Sequence, residues 1–182
     1  MDEFDSYLEQ MRAQVRPPWT VPRAETALDF GEDFVERFAF LRRQIKPHLR
    51  RWPEDIIRNL LMEEAVVDAL DDHAQERLLK LTRAHGDAVL RGQFAEDYFD
   101  TLDAFALFFV HHGVWSSWVS GAIKRSIAEI MATIVRDRSE GGRLAMMRVL
   151  TDFLVLELDQ IHRVYALARH DTRLLRFRRS TA

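Results

Sequence analysis

Phe105, Phe108, Phe109 and His112 fall at i, i+3, i+4 and i+7, a spacing that puts them on one face of a helix. They lie in the densest aromatic block of the chain, Arg91 to Ala122. Gly113 follows directly and supplies a stop, because glycine enters the left-handed region without a Cβ clash. Ser116 or Ser117 can then cap a new helix through a side-chain oxygen. A helix ending in a histidine among phenylalanines, with a second helix close behind, makes a wall suited to a large apolar ligand.

The rest of the chain offers little except helix. Its 182 residues hold only seven glycines and five prolines, and β-branched runs are few, so an all-α fold is expected. The length suits one domain with a real core. A composition 47% hydrophobic and 30% charged is that of a globular protein, and a net charge of −3 gives no bulk attraction to nucleic acid. The chain has no cysteine, which excludes disulfides, thiolate metal sites and cysteine nucleophiles. The N-terminus MDEFDSYLEQ lacks the apolar core of a signal peptide, and no apolar run is long enough to span a membrane. A cytoplasmic protein without membrane insertion is expected.

Residues 2–15 read as a short extra helix, ended by the proline-rich linker 16–22. Phe30, Phe34, Phe38, Leu41 and Ile45 stripe a helix over 29–51, kinked or restarted at Pro47. Pro53 predicts a new start and a helix over 55–70. Asp71 or Asp72 caps a helix to about Leu90, with Leu78, Leu81 and His85 on one stripe. The aromatic helix covers 94–112. The next, 118–136, turns Ile123, Ile127, Ile130 and Ile134 inward, and residues 139–142 read as a turn. The last long helix, 143–169, carries a seam of Leu154, Leu158, Ile161, Tyr165 and Ala168. The main domain is placed at 23–170, with a basic tail over 171–182.

The interval from Gly92 to Ala122 resembles the proximal region of sensor globins, the protoglobin and globin-coupled-sensor group. Their pattern runs G-x-x-D-x-x-Y/F, then a helix ending H-x-x-I-G-L, then W-Y-x-G-A. Gly92 and Tyr98 match its first part; Gly113, Val114, Trp118, Gly121 and Ala122 match its last. The resemblance implies a globin-like sensor domain holding heme b on a proximal histidine. In the ungapped register that position is Phe109, which has no donor for iron. His112 and His111 are the candidate heme ligands. His112 shares the face of Phe105 and Phe109. His111 lies about 200° from Phe109 around the helix. It matches the longer interval of cyclase-linked members, at the cost of a deletion before Trp118. The segment KPHLRRWPEDIIRNLL resembles the family's first core helices and places Leu60 and Leu61 where a Phe-Tyr pair would face iron-bound ligand. The candidate pocket is lined by Leu60, Leu61, Leu81, His85, Phe105, Phe108, Phe109 and Trp118.

Three readings follow. The first is a non-enzymatic sensory domain with a degenerate heme site, having either a packed interior or an apolar pocket that holds a fatty acid or other apolar ligand, as the resemblance to heme-free stressosome and sporulation-inhibitor sensors implies. The second is a heme-based gas sensor or carrier using His112 or His111. The third is a structural dimerisation module. Asp159-x-x-His162 lacks the second motif a di-iron bundle requires. His73 and His85 read as solvated rather than metal-binding. Ser116 and Ser117 beside His112 lack a nucleophile elbow and a third group, so capping is the better reading. The last helix also carries Leu150, Phe153, Val164 and Leu167 beside its seam, a wider apolar arc than one face requires. That excess, with Met131 on the preceding helix, predicts a homodimer through the last two helices, as the resemblance implies. With the chain ending at Ala182, any signal is expected to pass through assembly or a separate signalling protein.

Overall fold

A computed structural model describes residues 5–7, 9, 32–137 and 140–170. The described residues contain helices and no strand. Residues 5–7 and 9 are helical, while the linker over 16–22 and the tail over 171–182 lie outside the described residues. The helices are α1 Glu32–Leu60, the single turn α2 Glu64–Val67, α3 Asp72–Arg91, α4 Glu96–His111, α5 Ser116–Asp137 and α6 Glu140–His170.

The sequence predicts a kink or restart at Pro47 and a new helix start at Pro53; α1 kinks just before the first and continues through the second. Pro47 and Pro53 both lie inside it. Proline removes an amide and its ring crowds the carbonyl four residues back. The chain absorbs this at Ile45, two residues before Pro47, where φ −113 and ψ 15 leave the helical region. Pro53 is buried instead, its ring filling the space that a side chain at Gly86 would need. The close crossing of α1 and α3 therefore depends on one residue without a Cβ and one with a compact ring. The turn expected over 139–142 is corrected as well: Gly141 and Gly142 lie within α6.

The helix ends follow their local chemistry. Asp71 caps α3, its Oδ1 accepting the Ala74 amide at 2.7 Å. Gly92 ends α3 in the left-handed region at φ 68, under the Arg42 guanidinium, which donates to the carbonyls of Leu90 and Arg91. Gly113 takes φ 72 and turns the chain from α4 to α5. Neither Ser116 nor Ser117 precedes α5; both lie in its first turn, and the Trp115 carbonyl receives the amides of Trp118 and Val119.

Around these ends, α1 packs on α3 and α5, α3 on α4, α4 on α6, and α5 on α6. Phe34, Phe38, Trp52, Tyr98, Phe105, Phe108, Phe109 and Phe153 are all fully buried in the shared core. Ring contacts join three of the helices, α1, α3 and α6: Phe38 meets Phe153 at 5.2 Å, and Trp52 meets Phe153 at 5.5 Å and His85 at 5.7 Å.

Candidate functional site

The aromatic stripe of α4 forms as its spacing predicts. Phe105 and Phe108 each meet Phe109 edge to face, with centroids 5.0 and 5.5 Å apart. Phe109, in the register position of a proximal ligand, is wholly inside this aromatic packing. His112 closes α4, its amide bonded to the Phe108 carbonyl at 3.1 Å and its ring 4.4 Å from the Phe108 ring. Burial lowers its pKa to about 4, with repulsion from His111 in the same direction and Asp71 opposing both. The imidazole is therefore neutral at pH 7, with a lone pair available. His111 is half-buried, its ring 4.9 Å from His112 and 5.1 Å from Tyr7 of the N-terminal segment. Asp5 pairs with Arg77 on α3 beside it.

A second site lies further into the α3–α4 contact. His85 was expected to be solvated, and this is corrected: it is 1% exposed. Its Nδ1 lies 3.2 Å from Thr101 Oγ1 on α4, and its Nε2 lies 3.0 Å from both carboxylate oxygens of Glu157 on α6. Glu157 is 0% exposed and also accepts from the Tyr98 hydroxyl. Burial first, then the Glu157 charge, raises the Tyr98 pKa well above its ordinary value, so the phenol stays protonated. Trp52 lies against the His85 ring, and its indole donates to Ser126 Oγ at 3.0 Å. Phe105 stacks on the His85 ring at 6.3 Å and 21°, which joins this cluster to the aromatic stripe.

Of the residues assigned to a pocket by sequence, His85, Phe105, Phe108 and Phe109 form one continuous series of ring contacts. Leu60 is fully buried in the core, and Leu81 and Trp118 pack against it half-buried. Leu61 is half-buried beyond the end of α1. Beside Leu60, Asn59 is 3% exposed, and its Nδ2 has no hydrogen-bond partner. Sequence reasoning missed Glu157 and Thr101 entirely. The available signal was Glu157 in the run FLVLELDQI, four residues from both Phe153 and Ile161 and so on their side of the helix, unlike Asp159.

Other candidate groups are held by structural partners. Ser120 Oγ lies 3.0 Å from His162 Nε2, and Asp159 pairs with Arg163 at 3.5 Å. The Tyr165 hydroxyl donates to the Val114 carbonyl at 2.9 Å and ties the α4–α5 corner to α6. Among the described residues no group of three or more histidines and carboxylates could hold a metal ion. No helix of the described residues is long and apolar enough to cross a membrane.

Comparison with protein families matches Protoglobin over residues 23–170. Searches of curated proteins and of solved structures returned no match. With most of its length matched and a helical globin-like fold built around the α3–α4 contact, this chain belongs to the protoglobin family.

Proposed function

We propose that this chain is a non-enzymatic sensory globin domain in which a packed, hydrogen-bonded interior has replaced the heme site of its family. The observation that carries this reading is the bridge from His85 on α3 to Thr101 on α4 and Glu157 on α6. A porphyrin between α3 and α4 would have to part these bonds. It would leave a histidine and a carboxylate buried without partners, which is strongly unfavourable. Phe109 adds to the misfit, because the register position that should supply a donor carries none. The residues present do not fit a heme in the family's arrangement.

The lone Nδ2 of Asn59 favours an apolar ligand carrying one acceptor atom, such as a fatty acid, as the sensed molecule. Output then passes through a homodimer formed by α5 and α6, or through a separate signalling protein, in the cytoplasm. Val135, Leu144 and Val155 expose apolar surface on these two helices.

Hemin titration of the purified chain tests the first point. At most weak, non-stoichiometric binding is expected. A sharp one-to-one Soret band would overturn the reading. Mass spectrometry of solvent extracts identifies any apolar ligand, and Asn59→Leu should weaken its retention. A second reading, heme binding through His112, is favoured by the neutral ring held against Phe108. It predicts a Soret band lost in His112→Ala. Loss in His111→Ala instead would assign the ligand to the longer register.

A further inference from the structure

The buried cluster of His85, Glu157, Tyr98 and Thr101 has a proton count that its hydrogen bonds fix. Thr101 Oγ1 donates to the Tyr98 carbonyl at 2.8 Å, so it can only accept from His85, and Nδ1 must carry a hydrogen. The Tyr98 hydroxyl donates to Glu157 Oε1. Between His85 Nε2 and Glu157 one hydrogen is then required. It sits on nitrogen, giving imidazolium and carboxylate, or on oxygen, giving neutral imidazole and carboxylic acid. Both arrangements hold the same single proton. Removing it sets a lone pair against a carboxylate inside the core. Adding a second sets two donors against each other with no acceptor for one of them.

We infer that His85 and Glu157 share one proton and form a proton-linked latch joining α3, α4 and α6. Among the described residues, the rings packed against the latch are uncharged. From α1 it meets the uncharged Trp52, and from α4 Phe105 and the protonated Tyr98. The ionisable Asp103, further along the α4–α6 contact, accepts the Gln160 side-chain amide at 2.7 Å. Gain or loss of the proton loosens α6, the helix whose outer side carries Leu144 and Val155. The input of the domain therefore includes pH, independently of any apolar ligand.

Glu157→Gln separates this latch from an ordinary buried ion pair. The substituted amide can donate to a neutral His85 ring while its oxygen accepts from Tyr98, so the fold is retained but the shared proton is lost. Unfolded chains of both proteins protonate histidine alike, with a midpoint of about 6.5, and above a pH of about 4.3 the unfolded glutamate is ionised. The two folded states then differ by one proton. The ratio of their unfolding constants, variant over wild type, should fall roughly tenfold per pH unit across about pH 5 to 8. The measurement is urea unfolding of the full chain at each pH. A ratio independent of pH would overturn the latch, because the pair would then hold no proton. Nitrogen-15 NMR of wild-type His85 is the second measurement and needs no variant. Protonated Nδ1 is expected, bonded to Thr101 Oγ1. A bare Nδ1 would overturn the assignment.

Discussion

Two histidine sites lie along α4, and the chain treats them oppositely. At its C-terminal end His112 is half-buried against Phe108, with His111 beside it. Nearer its start, Thr101 and Tyr98 engage a His85 that is almost fully enclosed and bonded through both ring nitrogens. A histidine buried alone responds by giving up its proton, whereas one buried with a carboxylate holds it. Position on a motif therefore says less about a histidine's chemistry than what the other helices bring to it. Here α6 brings Glu157 to one and not to the other.

The largest test of this contrast removes the carboxylate without replacing its bonds. Glu157→Ala strips His85 and Tyr98 of their shared acceptor and should cost about 3–5 kcal/mol in urea unfolding, the range for breaking a buried pair. His112→Ala removes a partly exposed ring and should cost about 1 kcal/mol or less. Equal losses at the two positions would dissolve the distinction. Next in size is the crossing that positions α3 and so His85. Gly86→Ala places a Cβ into the Pro53 ring and should cost about 1–3 kcal/mol by overpacking. A neutral Gly86→Ala would mean that α1 and α3 can separate freely, and with them the contact between Trp52 and His85.

The elements around His112 were legible because their signals are local. The four-residue aromatic spacing, the Gly113 stop and the Asp71 cap each act within a turn or two of the chain, and each appears as the sequence predicts. The His85 site was not, because its partners are remote: Glu157 lies 72 residues from His85 and 59 from Tyr98. A single acid among leucines has the same local appearance whether it faces solvent or a buried imidazole. Of the two prolines of α1, Pro47 comes with the expected kink, at Ile45, while Pro53 misled for a related reason: it breaks a helix on local rules, yet its packing against Gly86 accompanies a helix that continues through it. The pair Gly141–Gly142 is likewise a turn signal that α6 overrides.

A smaller effect separates the two sites by pH. The folded His112 pKa of about 4 lies below the unfolded value of about 6.5. The folded state binds fewer protons there, so its stability contribution is complete above about pH 6.5 and is lost as pH falls toward 4. Solvent at the half-exposed ring reduces the size of that loss. His112→Asn should flatten the acid side of the stability curve. NMR titration of His112 near pH 6.5 would remove the contrast.

The smallest effect on stability is expected on the outer side of α6, the side proposed to meet a second copy. The wide apolar arc of this helix, with Leu154 and Ile161 in its seam, is what predicts a dimer from the sequence. The structure divides that arc. Leu150, Phe153, Ile161 and Val164 are fully buried within one chain, so a charge at Ile161 would unfold the domain rather than release a partner. Leu154 is half-buried and packs against the same core. Leu144 and Val155 remain at 67% and 39% exposure and are the residues available to a second copy. Val155→Glu should cost no more than about 0.5 kcal/mol in the folded chain, as surface substitutions do. It should nevertheless convert a dimer to a monomer in light scattering at micromolar concentration. A wild-type protein that is already a folded monomer there would refute the dimer. A variant that stays dimeric would move the interface away from this row of α6.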